Sequence, residues 1–120
     1  MNVLNVTDIM GVLNKLEAPK SNLGYKYIIE ALLAVGEDET WIDKFTALYE
    51  FVGKKCNSTG SRVERAIRHE VELIFANGNS SVINEVFGSY RKNNKLPNGE
   101  FLASVYYYLF YQKEGSTDDK

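Results

Sequence analysis

A chain of 120 residues, 44% of them apolar and 12% aromatic, is the size of one domain and can bury a real core. Its formal charge of −2 excludes a uniformly basic protein, so any hold on nucleic acid must come from a local concentration of cations. One cysteine (Cys56) and one histidine (His69) exclude an intrachain disulfide and a Cys/His zinc site. No apolar run approaches the ~20 residues that span a bilayer, and no cationic signal-peptide start is present, so a cytoplasmic protein without membrane association, metal or cofactor is expected.

The apolar spacing is helical from end to end. Thr7 or Asp8 is placed to cap a first helix to about Glu17, with Ile9, Met10, Leu13 and Leu16 at helical steps. Ala18-Pro19 ends it, because a residue before proline avoids the α region. Ser21 or Asn22 can cap a second helix to Val35, through Leu23, Tyr27, Ile28, Ala31 and Leu32. Gly36 to Thr40 reads as a polar break. From Thr46 to Cys56 the pattern predicts a third helix with Leu48, Phe51 and Val52 buried. Gly53 costs about 1 kcal/mol of helix propensity, which points to another helix crossing at close range.

The most informative stretch is Asn57 to His69. After a turn, a helix to about Ala76 places Val63, Ala66, Ile67 and Ile74 on one face and Ser61, Glu64, Arg65 and Arg68 on the other. Asn77-Gly78-Asn79 is a stop, by the tolerance of glycine and asparagine for the left-handed conformation. Ser80 or Ser81 then caps a short helix, Val82 to Phe87, closed by Gly88. Residues 89–98 read as a polar loop with Arg91, Lys92 and Lys95, which could clamp phosphate or simply be solvated. A last helix, about Glu100 to Lys113, buries Phe101, Leu102, Val105 and Leu109. No strand pattern, repeat or linker is visible. The class is all-α, six to seven short helices containing a helix-turn-helix, with residues 1–114 as the domain and 115–120 as a flexible tail.

Three arginines on one exposed helix face suit guanine edges or phosphates, since a guanidinium makes paired hydrogen bonds to either. They equally suit an ordinary solvated face, in which Glu64 or Glu72 pairs with Arg68 for about 0.2–0.5 kcal/mol. His69 has no candidate nucleophile beside it in sequence, so a phosphate-facing or partly buried ring outweighs catalysis and no enzyme is indicated. Cys56 reads as a small buried residue near a helix end. Tyr107 and Tyr111 lie four residues apart, away from the buried stripe, and mark either an association surface or a face covered by another segment.

The run Ser61-Arg62-Val63-Glu64-Arg65-Ala66-Ile67-Arg68-His69 is similar to the recognition helix in the C-terminal effector domain of the sporulation stage-zero response regulator of endospore-forming bacteria. Leu48-Tyr49, Lys54-Lys55 and Asn57-Ser58-Thr59 resemble the family's preceding helix and turn. Gly78-Asn79, Phe87-Gly88, and Pro97-Asn98 with Glu100-Phe101 resemble the family's segments C-terminal to its recognition helix; Gly24-Tyr25 with Glu30-Ala31 resembles the second helix. The likeness runs from roughly Thr7 to Leu109. It implies a six-helix fold that binds a short box of double-stranded DNA, often as tandem copies, to regulate transcription.

By that resemblance Glu64, Arg65 and Arg68 would face base edges. Lys54, Lys55, Ser58, Thr59, Ser61, Arg62 and His69 would lie along phosphates. The short helix, with Ser81, Asn84 and Glu85, would meet a sigma subunit of RNA polymerase. Beyond the resemblance, Tyr107 and Tyr111 would extend the partner surface and could support a homodimer on tandem sites; the alternative is an interaction module that dimerises with a full-length relative or contacts RNA polymerase without binding DNA itself. The chain departs from the family at Glu70, where alanine is expected, at Asn77 for arginine, at Phe75 for tryptophan, and in the tyrosines of the last helix. It starts at the first effector helix without the family's receiver domain, as an excised fragment or a natural short relative would.

Overall fold

A computed structural model describes residues 4–88 and 96–118, the side chains of 113–118 excepted. The elements are α1 (Val6–Lys15), α2 (Leu23–Glu37), a 3₁₀ turn (Glu39–Asp43), α3 (Phe45–Lys55), α4 (Gly60–Asn77), α5 (Ser80–Phe87) and α6 (Asn98–Asp118). The described residues are all-α, as expected. Arg91, Lys92 and Lys95 lie outside them.

Several boundaries differ from the sequence reading, each for a local reason. Asn5, not Thr7 or Asp8, caps α1: its Oδ1 accepts from the Asp8 amide at 2.8 Å. The helix stops at Lys15 because the chain turns into the left-handed region at Glu17 (φ 61°). Gly36 does not end α2, which runs on to Glu37. Asp38 then caps the 3₁₀ turn by accepting from both the amide and the hydroxyl of Thr40, at 3.0 and 2.6 Å, and these bonds hold its carboxyl below the usual range. Asn79, rather than Ser80 or Ser81, caps α5 by accepting from the Ser81 and Val82 amides. Gly78 is extended (φ −77°, ψ 172°), not left-handed. It is needed for space, since a Cβ there would lie 2.6 Å from the Ile74 carbonyl oxygen and 2.7 Å from that of Leu16. The left-handed glycine is Gly88, which closes α5. The last helix continues beyond Lys113 to Asp118, since the one glycine in this stretch, Gly115, costs a helix only about 1 kcal/mol.

The core draws on every α-helix: Ile9, Leu13 and Leu16 from α1, Ile28 and Leu32 from α2, Leu48 and Val52 from α3, Val63, Ile67 and Ile74 from α4, Ile83 from α5, and Phe101, Leu102 and Val105 from α6. Phe87 bridges Phe75 and Phe101, with ring centroids 5.3 and 5.4 Å away. Phe51 is not part of the buried stripe of α3. It is 43% exposed and rests on Trp41 of the 3₁₀ turn at 5.2 Å, while Tyr49 is buried instead. Cys56 is half-buried at the C-cap of α3.

Helix α4 lies against α2, α3 and α6. Two of these crossings have no room for side chains. A Cβ on Gly53 of α3 would sit 2.7 Å from the Thr59 carbonyl carbon, and one on Gly60 would meet Glu50 of α3 at 2.8 Å. On the α2 side, a Cβ on Gly24 would lie 2.4 Å from the Ala66 carbonyl oxygen and 2.7 Å from the Glu70 Cβ. Glu70 is therefore sealed between α2 and α4. It is 0% exposed, and both carboxyl oxygens lack a hydrogen-bond partner among the described residues. Burial pushes its pKa up to about 7, only partly offset by the nearby Asn22 amide.

Gly53→Ala should destabilise the fold by about 1–3 kcal/mol in urea or thermal unfolding, because backbone must move. An exposed helix glycine would instead gain about 1 kcal/mol from alanine, so a rise in stability contradicts the close crossing. For Glu70, the folded carboxyl keeps its proton above the pH at which the unfolded one releases it. Stability therefore falls as pH rises from about 4.5 to about 7 and levels off above, by an amount on the order of 3 kcal/mol. Glu70→Gln should remove that slope; equal pH profiles for the two proteins contradict the assignment.

Candidate nucleic-acid interface

The turn between α3 and α4 is built from its own backbone. The Ser58 amide donates to the Gly53 carbonyl at 2.6 Å, and Asn57 takes the left-handed conformation (φ 61°) that asparagine tolerates. Thr59 caps α4: its Oγ1 accepts from the Arg62 amide at 3.2 Å. The first turn of α4 contains no acid. The positive end of the helix dipole is therefore not offset by an acid of the helix itself, although Glu50 of α3 packs beside Gly60.

Along α4, Val63, Ile67, Glu70, Val71, Ile74 and Phe75 are buried, while Ser61, Arg62, Arg65, Arg68 and His69 are exposed and Glu64 is half-exposed. The expected cationic face is thus at the surface, and Arg62 to His69 spans about 10 Å of helix. Residues 54–69 hold five Lys or Arg against one carboxylate, Glu64, in a chain whose total charge is −2. The stretch is a local positive patch on an acidic protein.

The cations differ in their surroundings. Arg65 and Lys54 form no ion pair among the described residues. Arg68 pairs with Glu64 one turn back, and both remain partly exposed (side chains 52% and 36%). Lys55 turns away toward α2, where it pairs with Glu30 at 3.1 Å. Tyr49 of α3 is buried beside Glu64 and Arg68, and burial raises its phenol pKa.

One contributor is absent from the sequence reading. Asn98, the first residue of α6, is buried and donates from Nδ2 to the Glu64 carbonyl at 2.9 Å. In sequence, Asn98 falls at the end of a polar loop, in a Pro97-Asn98 pair that carries part of the family likeness, and no local pattern reports a bond to a residue 34 positions away. Tyr49 is legible in principle, being one residue from Leu48 and three from Val52 on the buried side of α3.

The second set of expected residues lies on α5 and α6. Ser81, Asn84 and Glu85 are exposed. Glu85 accepts hydrogen bonds from the Tyr108 hydroxyl and, at 3.5 Å, from Lys15 of α1; these hold its carboxyl below the usual range. Tyr106 is buried. Tyr107 and Tyr111 are exposed (37% and 64%), stack at 6.2 Å and line an open groove with Val86 and Phe87. No described helix is long and apolar enough to cross a membrane.

The family described as sporulation initiation factor Spo0A C terminal matches residues 9–109. The match takes in the whole of α2 to α5, including the turn and the cationic face of α4. By that match, over most of its length, this chain belongs to the family of Spo0A C-terminal domains, the DNA-binding effector domain of a sporulation regulator, and not to a catalytic family.

Proposed function

We propose that this chain is a sequence-specific transcription regulator in which α3, the turn and α4 form a helix-turn-helix and the N-terminal half of α4 enters the major groove of double-stranded DNA. The observation that carries this reading is the exposed ridge of Arg62, Arg65 and Arg68 on a helix whose opposite face is locked into the core. A helix with its side chains is about 10–12 Å across and the groove about 12 Å wide. Arg65, unpaired and mid-ridge, reads a base edge. Arg68 reads a second, with Glu64 tuning the choice by holding the guanidinium in place or by accepting from a cytosine amino group.

Lys54, Ser58, Thr59, Ser61, Arg62 and His69 border this face and contact phosphate. The amides at the start of α4 add donors for the same backbone. Lys55 joins them by exchanging Glu30 for a phosphate oxygen. Phosphate contacts fix the register, and the two arginines supply the sequence.

A second face favours a protein partner. Exposed, stacked Tyr107 and Tyr111 beside the groove on α5 and α6 support pairing of copies on tandem boxes, and Ser81, Asn84 and Glu85 support contact with a sigma subunit of RNA polymerase. The interaction-module alternative, pairing with a full-length relative or contact with polymerase without DNA binding, rests on this face and on the acidic overall balance of the chain.

Selection from a random duplex library should enrich a short box. Arg65→Ala should then lose about 1–3 kcal/mol and relax preference at one base. Lys54→Ala should weaken binding to all sequences alike and lower the salt slope by about one. Indistinguishable profiles for the two variants contradict this division of roles. In size-exclusion chromatography with and without a tandem box, Tyr107→Ser/Tyr111→Ser should bind one box normally and lose cooperative filling of two. Unchanged cooperativity removes the tyrosines from the pairing surface.

A further inference from the structure

Asn98 is 8% exposed and reaches from the start of α6 to the backbone of α4, where its Nδ2 donates to the Glu64 carbonyl at 2.9 Å. That carbonyl is also the regular helical acceptor for the Arg68 amide, four residues on. A carbonyl oxygen has two lone pairs, and Asn98 occupies the second. The acceptor dictates the amide's orientation, since Oδ1 turned the same way would set two oxygens face to face. Oδ1 itself has no hydrogen-bond partner among the described residues, so the bond this amide makes to α4 is the Nδ2 bond. Tyr49 of α3 lies beside the same amide, and the next residue, Gly99, fits against the Phe45 ring, where a Cβ would come within 2.7 Å. The start of α6 is thus wedged against α3 while it grips α4 at the residue whose carboxylate holds Arg68.

Resting on the DNA-reading proposal above, we infer that Asn98 is a positioning residue for base recognition: its bond to the Glu64 carbonyl fixes the rotation of α4 about its own axis, and with it the direction in which the Glu64–Arg68 pair faces the duplex. A rotation of roughly 20° would carry a group about 5–6 Å from the axis sideways by about 2 Å. That displacement is enough to lose hydrogen bonds whose donor–acceptor distances lie at about 2.7–3.2 Å. The bond is made to backbone, so it sets the helix and not merely one side chain. Arg65 lies one residue beyond the grip and Arg68 one turn beyond it, so both depend on it.

The test compares relative affinities for all single-base variants of the selected box among wild type, Arg68→Ala, Asn98→Ala and the double variant. Asn98→Ser serves as a second version, because serine is well tolerated at a helix start and its hydroxyl is too short to span the gap. Asn98→Ala and Asn98→Ser should flatten preference at the base that Arg68→Ala identifies by at least about fivefold, the lower end of what one bidentate pair discriminates. The salt slope should stay that of wild type, and in the double variant the loss at that base should not exceed that of Arg68→Ala alone. Uniform weakening at every position, a wild-type profile, or additive losses in the double variant overturn the inference while leaving DNA reading intact. An Arg68→Ala profile equal to wild type does the same. A wild-type chain that enriches no sequence overturns the DNA-reading proposal, and this inference with it.

Discussion

Everything about the presentation of α4 depends on one backbone-to-backbone approach. Gly53 and Gly60 let the end of α3 and the start of α4 meet with no Cβ between them. Side-chain contacts can repack when strained, but backbone cannot yield without moving a helix. The turn that joins the two helices is correspondingly closed, with the Ser58 amide on the Gly53 carbonyl and Thr59 capping α4. The first turn of α4, from which Arg62 projects to the surface, is therefore placed within tight limits.

Two further contacts extend that control along the helix. Gly24 brings α2 onto the Ala66 carbonyl and Glu70, and Asn98 brings α6 onto the Glu64 carbonyl. Three neighbours thus hold α4 at successive levels, and the arginine ridge inherits its direction from them. The electrostatics obey the same geometry. A chain of charge −2 would weakly repel a polyanion as a whole. Five cations within sixteen residues of one turn and helix reverse the sign locally, and at physiological salt, where the Debye length is about 8 Å, the near charges decide. The Glu64–Arg68 pair lowers the patch charge but restrains a long side chain.

Much of this is legible in the sequence because it is periodic. The buried and exposed faces of α4 fall where Val63, Ile67 and Ile74 and where Ser61, Arg65 and Arg68 place them. Gly53 announces a close crossing because glycine inside an apolar helix needs a reason. Terminal positions are less legible. Asparagine at 5 and at 79 wins the caps over neighbouring Thr, Ser and Asp, which differ little from it in capping strength. Long-range polar contacts are invisible: the Asn98–Glu64 bond, the Lys55–Glu30 pair and the sealed environment of Glu70 all depend on which helices become neighbours. Glu70 stands out in sequence only as an acid on an apolar face, and tertiary packing alone decides whether such a residue escapes or is buried.

The central claim is that the cationic face of α4 is the surface that meets DNA. Titrating the isotopically labelled chain with a duplex carrying its selected box, and following backbone amide resonances, tests this directly. The account predicts that the strongest perturbations fall within residues 54–69, led by the turn and the first two turns of α4. Perturbations confined to α5 and α6, or none at low salt, would contradict it.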